Sequence, residues 1–315
     1  MFLSIGVRFE ANVEALNMVE TAGNYSKHRR VPYLVEEDGK LKTVYVPALS
    51  GESLAHAYQE HLVKEALGLN LPVCDDCRRR EFYKSMNKVH LQKKVSPIPD
   101  DPKKIEEAIV RACVVEDVGG FLYAEKPPVR RSSAFQVSYA LPVKSVALFA
   151  TSEPQLHARH AQMDASSKKG NASEQMIYYV ETGTALYGFT FNLDLDAIGV
   201  SAITSEAILD EGEIKTRREA ALKAIFRMLS SGQFGAKLSR FFPVGGITEL
   251  IVTVTEHPFV VTSPIYDSYI ERTTKRLNIL KSFGEGYFLA VAGDDKVPEE
   301  ALKEAIDYLR EKGAF

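Results

Sequence analysis

Residues 151–176, TSEPQLHARHAQMDASSKKGNASEQM, form a polar stretch rich in side chains that can bind an anion. Lysine and arginine carry positive charge, histidine and asparagine can donate hydrogen bonds, and methionine adds a flexible apolar group. The set could grip a polyanion, while a solvated surface loop is the other interpretation that the sequence leaves open. The side chains concerned are His157, Arg159, His160, Met163, Lys168, Lys169 and Asn171.

A second polar segment, TAGNYSKHRR, follows the first strand-like run of the chain. Beside a Gly-Asn turn it carries four side chains that are or can become cationic, and Asn24 adds an amide, so it favours contact with an anion. The cationic side chains are Lys27, His28, Arg29 and Arg30. An exposed basic loop without a ligand is the alternative.

The segment PALSGES opens the first helix-like run of the sequence. Ser50 is placed to cap that helix, and Gly51 and Ser53 accompany it. Free N–H groups, a glycine and two hydroxyls together are suited to holding a phosphate at the positive end of a helix. Capping alone would also explain Ser50.

Cys74 and Cys77 form a single CxxC pair. A four-coordinate zinc site needs two further ligands, and His90 and Cys113 are the candidates nearby. A redox role is not favoured either, because the flanking βαβ pattern is absent. From the sequence we therefore predict neither a metal site nor a cofactor.

Composition excludes some classes of protein. The formal net charge of −3 excludes a uniformly basic nucleic-acid binder, so any anion site must be local. The N-terminal run lacks the basic region of a signal peptide, and no window approaches the roughly 18 apolar residues that span a membrane. Three cysteines fit a reducing compartment. These features predict a cytoplasmic protein without a membrane contact.

The elements that must position these groups follow from hydrophobic periodicity. Alternation predicts a first strand, and YLVEEDGKLKTVYV predicts a hairpin about a Glu-Asp-Gly turn. Without the insertions, the order is strand, helix, strand, strand, helix, strand, which is the βαββαβ order of an α+β, ferredoxin-like fold related to RNA-recognition domains. The predicted segments are 2–13, 51–67, 132–149, 177–195, 216–231 and 247–256.

The predicted organisation has three parts. Residues 1–69 form the first part of the sheet domain, residues 70–131 form an inserted helical subdomain, and residues 132–315 complete the sheet domain. The last part carries the polar loop 151–176 and ends in a strand and helices, with Pro298 in the first turn of the final helix.

The strand with Asn12, the string GNYSKHRRVPYL, the string VYVPALSGESLAHAYQEHL, the long histidine-rich loop and PVGG together resemble a known family. This is the backbone subunit of the archaeal type I-A CRISPR Cascade complex, of the DevR-like autoregulator family. The resemblance covers most of the chain and depends on the combination of motifs. It implies a modified RNA-recognition core in a crescent of palm, fingers and thumb.

The resemblance also implies partners and site residues. Such subunits stack on themselves along CRISPR RNA, contact other Cascade subunits, and leave the bases free to pair with target DNA. The implied contacts are with the RNA backbone, at Asn24, Lys27, Arg29 and Arg30, at Ser50, Gly51 and Ser53, and at His157, His160, Lys168 and Lys169 in the thumb. Met163 is implied to interrupt the base stack, and Gly245 and Gly246 to allow close approach of another loop.

Two other functions remain open at this level. His157 and His160, or Asp164 with a metal, could cleave RNA by acid-base catalysis, although no second catalytic group is evident. A DNA-binding autoregulator is the other alternative, but no helix-turn-helix with a basic recognition helix is evident. The prediction is therefore a non-catalytic RNA-binding subunit.

Overall fold

A computed structural model describes residues 1–83, 85–160 and 175–315, and of residues 85, 159, 160, 175 and 176 only the main chain. The strands are β1 (Phe2–Glu14), β2 (Met18–Ala22), β3 (Tyr25–His28), β4 (Arg30–Glu37), β5 (Lys40–Pro47), β6 (Ser85–Met86), β7 (Phe121–Tyr123), β8 (Val129–Arg131), β9 (Phe135–Val137), β10 (Leu141–Pro142), β11 (Thr151–His160), β12 (Gln175–Asp194), β13 (Val244–Thr255) and β14 (Tyr287–Ala292).

The helices begin after β5 and are interspersed among the later strands. They are α1 (Gly51–Gly68), α2 (Asp75–Arg78), α3 (Lys88–Lys94), α4 (Pro102–Ala112), α5 (Val114–Gly119), α6 (Glu211–Ser231), α7 (Leu238–Phe241), α8 (Tyr269–Ser282) and α9 (Pro298–Glu311), with a 3-10 helix at Lys144–Phe149. Among the helices described, none combines the length and the apolar character needed to cross a bilayer.

Local chemistry sets the helix ends. The Ser50 hydroxyl accepts a hydrogen bond from the Ser53 N–H, so the predicted cap of α1 is confirmed. Helix α6 ends before Gly232, whose φ of 61° is a left-handed conformation that suits glycine, and this end agrees with the predicted segment 216–231. Pro298 begins α9, where its missing N–H is not needed.

A mixed α+β fold is built on a nine-stranded sheet. Its path is β14-β13-β1-β12-β3-β2, and β9, β10 and β11 also pair with β12. In the series β13-β1-β12-β9, every pair of neighbouring strands is antiparallel. Strand β12 is long enough for its two halves to have different partners: its second half pairs with β1, and its first half with β11 and β3.

The main core lies between one face of this sheet and helices α1, α6 and α9. Strand β1 contributes Leu3, Ile5 and Val7, all almost fully buried, and α6 contributes Leu222 and Ile225. Burial of each such side chain contributes roughly 1.5–3 kcal/mol. The aliphatic stripe that the sequence shows in each helix is therefore what holds the helices on the sheet.

The segment 70–131 has a small sheet of its own, in the order β6-β7-β8, and a separate cluster around Leu91, Ile105 and Phe121. The segment also contributes to the main core, through residues such as Cys77 and Val115. It is therefore joined to the sheet domain by buried packing.

Three predicted elements differ from the structure. Residues 132–149 are not one strand but β9, β10 and the 3-10 helix, and Pro142 lies where that pairing ends. The segment TAGNYSKHRR is not a loop, because it forms much of the β2–β3 hairpin and begins β4. Of the predicted loop 151–176, residues 151–160 and 175–176 are strand, with His160 opposite Gln175. The hairpin of β4 and β5 about Asp38 and Gly39 is confirmed.

Candidate nucleic-acid interface

Asn17 joins two of the groups that the sequence singles out. Its buried side-chain oxygen, Oδ1, accepts a hydrogen bond from Arg29 Nε at 2.9 Å and another from the Ser50 N–H at 2.8 Å. The Asn17 carbonyl accepts a third, from the Arg29 N–H at 2.8 Å. The arginine that follows β3 is therefore fixed beside the start of α1, where Gly51 and Ser53 lie.

The charges of Arg29 and Arg30 are not neutralised by these contacts. The partner described for the Arg29 side chain is an amide oxygen, and Arg30 Nη2 donates to the Tyr45 carbonyl at 2.9 Å. Lys27, by contrast, lies 3.3 Å from a carboxylate oxygen of Glu20 in an exposed pair, which contributes little. The guanidinium groups are therefore available to a phosphate, and Lys27 can exchange its partner for one.

Asn24 joins the β2–β3 hairpin to the arm, which we define as β11 with residues 175–184 of β12. Asn24 Nδ2 donates to the Ile177 carbonyl at 2.9 Å, and the Tyr179 N–H donates to the Asn24 carbonyl at 2.8 Å. The rings of Tyr25 and Tyr179 lie 6.0 Å apart. The segment TAGNYSKHRR and the arm, which are remote in sequence, are thus neighbours.

His157 packs among aromatic rings on the arm. Its ring stacks on Tyr178, with 5.2 Å between centroids and 21° between planes, and meets Phe241 of α7 edge-on at 5.6 Å. The Nε2 atom is buried and has no hydrogen-bond partner among the residues that the structure describes. Aromatic packing therefore holds the ring, and Nε2 becomes accessible to a ligand only if its neighbours move.

The remaining predicted thumb residues cannot be placed. Only the main chain of His160 is described, at the end of β11. Met163, Lys168 and Lys169, and with them Asp164, lie outside the described residues. Their predicted roles stay predictions.

The predicted glycines have different surroundings. A Cβ on Gly51 would lie 2.7 Å from the Val137 carbonyl, and one on Gly245, where φ is 141°, would lie 2.2 Å from the Glu10 carbonyl. Both glycines therefore let two segments of this chain approach closely. A Cβ on Gly246 would meet nothing within 4 Å. Gly245 pairs with Ala11, which on its other side pairs with Ala185, so these glycines lie at the sheet end that leads into the arm.

A polar cleft of about 460 Å³ continues the site along α1. Burial lowers the pKa of His61, so this ring is neutral near pH 7, while Lys64 and Arg80 supply positive charge. The lining residues are Ser53, His56, Ala57, Glu60, His61, Lys64, Arg80, Gln233, Gly235, Ala236 and Leu238.

Sequence reasoning missed both Asn17 and this cleft. Nothing in the pattern around Asn17 distinguishes it from another polar loop residue. The cleft has a signal, because Ser53, His56 and Glu60 recur at spacings of three and four and so lie on one face of α1.

These features define a class: mixed α+β proteins in which basic and hydroxyl groups gather where a long strand leaves the main sheet. A family model described as "CRISPR-associated negative auto-regulator DevR/Csa2" matches residues 5–274. The chain belongs to this DevR/Csa2 family of CRISPR-associated proteins.

The relatives include two proteins of Saccharolobus solfataricus. The chain is 37% identical over 292 residues to the CRISPR-associated aCascade subunit Cas7/Csa2 2, covering 90% of this chain and 89% of the relative. It is 35% identical over 313 residues to the CRISPR-associated protein Cas7/Csa2 1, covering 96% and 97%. Both alignments span nearly the whole of each protein.

A solved structure described as "CRISPR RNA-guided surveillance complex, pre-nicking" contains a chain of similar fold. The TM-score is 0.57 at 12% sequence identity, covering 98% of this chain and all of the other. A second, described as "CRISPR RNA-guided surveillance complex", has a TM-score of 0.52 at 14% identity, with 99% and 100% covered. At this identity the likeness concerns the fold alone.

Proposed function

We propose that this protein is a non-catalytic, RNA-binding subunit that oligomerises along CRISPR RNA and presents the spacer for pairing with target DNA. Family membership supports the setting, because one relative is described as an aCascade subunit. The two similar structures are described as RNA-guided surveillance complexes. The proposed partners are CRISPR RNA, further copies of this chain, other Cascade subunits and, through the RNA, target DNA.

The observation that carries the proposal is the bridge through Asn17. It holds the Arg29 side chain at the N-terminus of an 18-residue helix, where the first turn leaves N–H groups without partners inside the helix. Positive charge together with such N–H groups binds phosphate without reading bases. A subunit that must accept any spacer sequence needs this kind of contact.

The interface that we propose extends from the helix start to the arm. It comprises Asn24, Lys27, Arg29, Arg30, Ser50, Gly51 and Ser53, then His157 and His160, with Gly245 and Gly246 at the same end of the sheet. The proposal also includes contacts of Lys168 and Lys169 with the RNA and interruption of the base stack by Met163. Substitution of these residues would test both roles. Glu52 is exposed in the first turn of α1, and its negative charge opposes the binding of phosphate there. Attraction of the RNA therefore depends on the arginines.

A ferredoxin-like core is the architecture that we propose for the sheet domain. The antiparallel series β13-β1-β12-β9, with α1 after β1 and α6 after β12, supports it, because a βαββαβ unit has its strands in the order 4-1-3-2. In this proposal residues 1–69 and 132–315 form the palm, from which residues 151–176 extend as the thumb. Residues 70–131 form the fingers.

A direct test compares two double variants that each remove two positive charges. Lys27→Gln with Arg30→Gln changes the proposed interface, whereas Lys275→Gln with Lys303→Gln changes exposed lysines on α8 and α9. Binding to a labelled single-stranded RNA is measured by fluorescence anisotropy across a salt series. We expect the first variant to bind at least about tenfold more weakly and its salt slope to fall by roughly 0.7 for each phosphate that is no longer neutralised. The control should match the wild type.

Equal weakening in both double variants would contradict the proposed interface. Tighter binding to duplex DNA than to single-stranded RNA at matched salt would favour a DNA-binding autoregulator instead. Cleavage of the RNA that is abolished in His157→Ala would favour a ribonuclease. Self-assembly is tested separately by the mass of complexes on RNAs of increasing length: the mass should grow with length, and a fixed one-to-one complex would contradict assembly along the RNA.

A further inference from the structure

Cys113 meets the sequence neighbours Cys74 and Cys77 in the folded segment 70–131. The Sγ atoms of Cys74, Cys77 and Cys113 all lie within 4.8 Å of one another. Cys77 and Cys113 are buried, and Cys74 is partly exposed. We propose that these three thiolates bind one Zn²⁺ ion, with the Glu116 carboxylate as the fourth ligand.

The separation of the sulfurs suits a tetrahedral metal. Thiolates that share a zinc ion at about 2.3 Å from it stand roughly 3.8 Å apart. Movement of no more than about 1 Å per sulfur would therefore bring Cys74, Cys77 and Cys113 into coordination. The three sulfurs are held by two short helices, since Cys74 and Cys77 flank the start of α2 and Cys113 precedes α5. The folded chain thus gathers the ligands before a metal binds.

Glu116 lies beside the cluster. Its Oε1 atom lies 3.6 Å from Cys77 Sγ, although the two residues are 39 positions apart in the sequence. A carboxylate is an accepted zinc ligand at about 2.0–2.2 Å. The spacing between Cys113 and Glu116 repeats the two-residue gap of the CxxC pair, so each short helix supplies two ligands.

Lys94 balances the charge of this ligand set. Its ammonium group is almost fully buried and lies 2.7 Å from Cys74 Sγ and 3.0 Å from Glu116 Oε1. Three thiolates and a carboxylate carry four negative charges, of which zinc neutralises two. Lys94 offsets part of the remainder, since its ammonium group also lies 3.7 Å from the buried Asp76 carboxylate. A buried ammonium is costly without anionic partners, and it also orients ligands by donating hydrogen bonds to them.

A disulfide between Cys74 and Cys77 is the competing use of the same atoms. It would employ two of the three sulfurs and would leave the buried Cys113 thiol outside the bond. A metal uses the whole set, and the geometry therefore favours zinc.

The site would join two parts of the inserted segment at the place where that segment packs against the main core. Cys77 and Cys113 belong to the main core cluster, whereas Ile105 and Ile109 of the intervening α4 belong to the separate cluster of the insertion. A metal that links the two ends of this long excursion limits the freedom of the unfolded chain and so stabilises the fold. This role is independent of RNA binding.

The test begins with the wild-type protein purified under reducing conditions. After addition of Zn²⁺ and gel filtration, elemental mass spectrometry should find one zinc ion per chain. The same protein loaded with Co²⁺ should show the thiolate-to-metal charge-transfer absorbance of a tetrahedral site. A strong zinc chelator should lower the melting temperature of the zinc-loaded protein.

Variants then assign the ligands. Cys113→Ser should reduce the charge-transfer intensity by about a third, because one of three thiolates is gone. Glu116→Gln should keep the intensity but bind Zn²⁺ at least about tenfold more weakly, and Lys94→Met should also weaken binding by about tenfold or more. The exposed neighbour Asp75 gives the matched control, since Asp75→Asn should bind as the wild type does.

Failure of the reduced wild type to retain Zn²⁺ or to show the cobalt band would overturn the proposal. So would unchanged metal binding in a folded Cys113→Ser variant. A Cys74–Cys77 disulfide whose reduction does not restore metal binding would establish the competing use. If Cys113→Ser does not fold, the wild-type stoichiometry and the chelator melting shift decide the question by themselves.

Discussion

Glu14 and His28 form an ion pair in which both side chains are fully buried, with 2.7 Å between Glu14 Oε1 and His28 Nε2. The Tyr187 hydroxyl donates to the same Glu14 oxygen at 2.7 Å, and the Leu16 N–H donates to the other. The pair therefore ties the end of β1 to β3 and β12. The pair lies where the arm leaves the main sheet, so the position of the segment TAGNYSKHRR depends on it.

The first prediction concerns the pH dependence of this pair. Burial opposes charge on His28, but the hydrogen bond and the charge of Glu14 outweigh burial, helped by the Arg29 carbonyl, and the pKa of His28 is raised from 6.5. A raised histidine pKa stabilises the folded state fully below the unfolded pKa, and the stabilisation is lost as the pH rises through the folded pKa. Wild type should therefore exceed His28→Gln in free energy of unfolding at about pH 6, and the difference should shrink by about pH 9.

Urea denaturation of both proteins across this pH range provides the measurement. A difference that grows with pH, or that stays constant, would contradict a charged His28 in the folded protein.

The second prediction concerns Gly183, which lies against the same pair. A Cβ on Gly183 would lie 2.3 Å from Glu14 Oε1 and 3.3 Å from His28 Nε2. The carboxylate cannot move away without breaking its bonds to Tyr187 and Leu16. Gly183→Ala should therefore lower the free energy of unfolding by about 1–3 kcal/mol and flatten its dependence on pH.

Gly246 provides the control, because its Cβ would meet nothing within 4 Å. Gly246→Ala should change stability by less than about 0.5 kcal/mol and keep the pH dependence of the wild type. Equal effects of the two substitutions would show that glycine itself, and not the ion pair, matters at position 183.

The third prediction concerns Asp117, whose carboxylate lies between two arginines. Asp117 Oδ2 is 2.9 Å from Arg217 Nη1, Asp117 Oδ1 is 2.5 Å from Arg131 Nη2, and the Gly199 N–H donates to both oxygens at 3.1 Å. The three charged side chains are almost completely buried. Each arginine keeps one further carboxylate partner, so the loss is that of hydrogen bonds to charged groups. Asp117→Asn should therefore lower the free energy of unfolding by about 1.5–3 kcal/mol.

The matched control is Glu304→Gln on α9, which breaks a partly exposed pair with Lys296 and should cost about 0–1 kcal/mol. Chemical denaturation of both variants gives the comparison. A destabilisation of less than about 1 kcal/mol for Asp117→Asn would mean that this buried network contributes little to holding the inserted segment.

The elements that could be predicted are those with strong local patterns. Helix α1 follows from Ser50 and its apolar stripe, α6 ends at Gly232, and the β4–β5 hairpin follows from its Asp-Gly turn. In each case the residues that set the boundary lie beside the element itself. Local chemistry was enough because no distant contact had to be known.

Elements without such patterns could not be predicted. Strand β2 has side chains that are mostly exposed, so it shows no apolar alternation, and its pairing with β3 depends on the contact of β3 with β12. Asn17 shows the same limit at the candidate site, since its role exists only where Arg29 and Ser50 meet. The cysteine pair was visible and His90 and Cys113 were both candidates to join it, but only the folded chain shows that Cys113 lies beside the pair.

The fourth prediction separates two roles of His157. Its ring stacks on Tyr178 and meets Phe241, while its Nε2 atom is buried without a partner among the described residues. His157→Phe should keep the aromatic packing and change the free energy of unfolding by less than about 1.5 kcal/mol, because the volume is nearly conserved. If Nε2 contacts RNA phosphate, removal of that hydrogen bond should weaken RNA binding by about fivefold to tenfold.

His157→Ala should be less stable than His157→Phe, because the aromatic packing is removed as well. Urea denaturation and RNA anisotropy on the same preparations separate the effects. Wild-type RNA affinity in His157→Phe would restrict His157 to packing, and Nε2 would then have no part in the RNA interface.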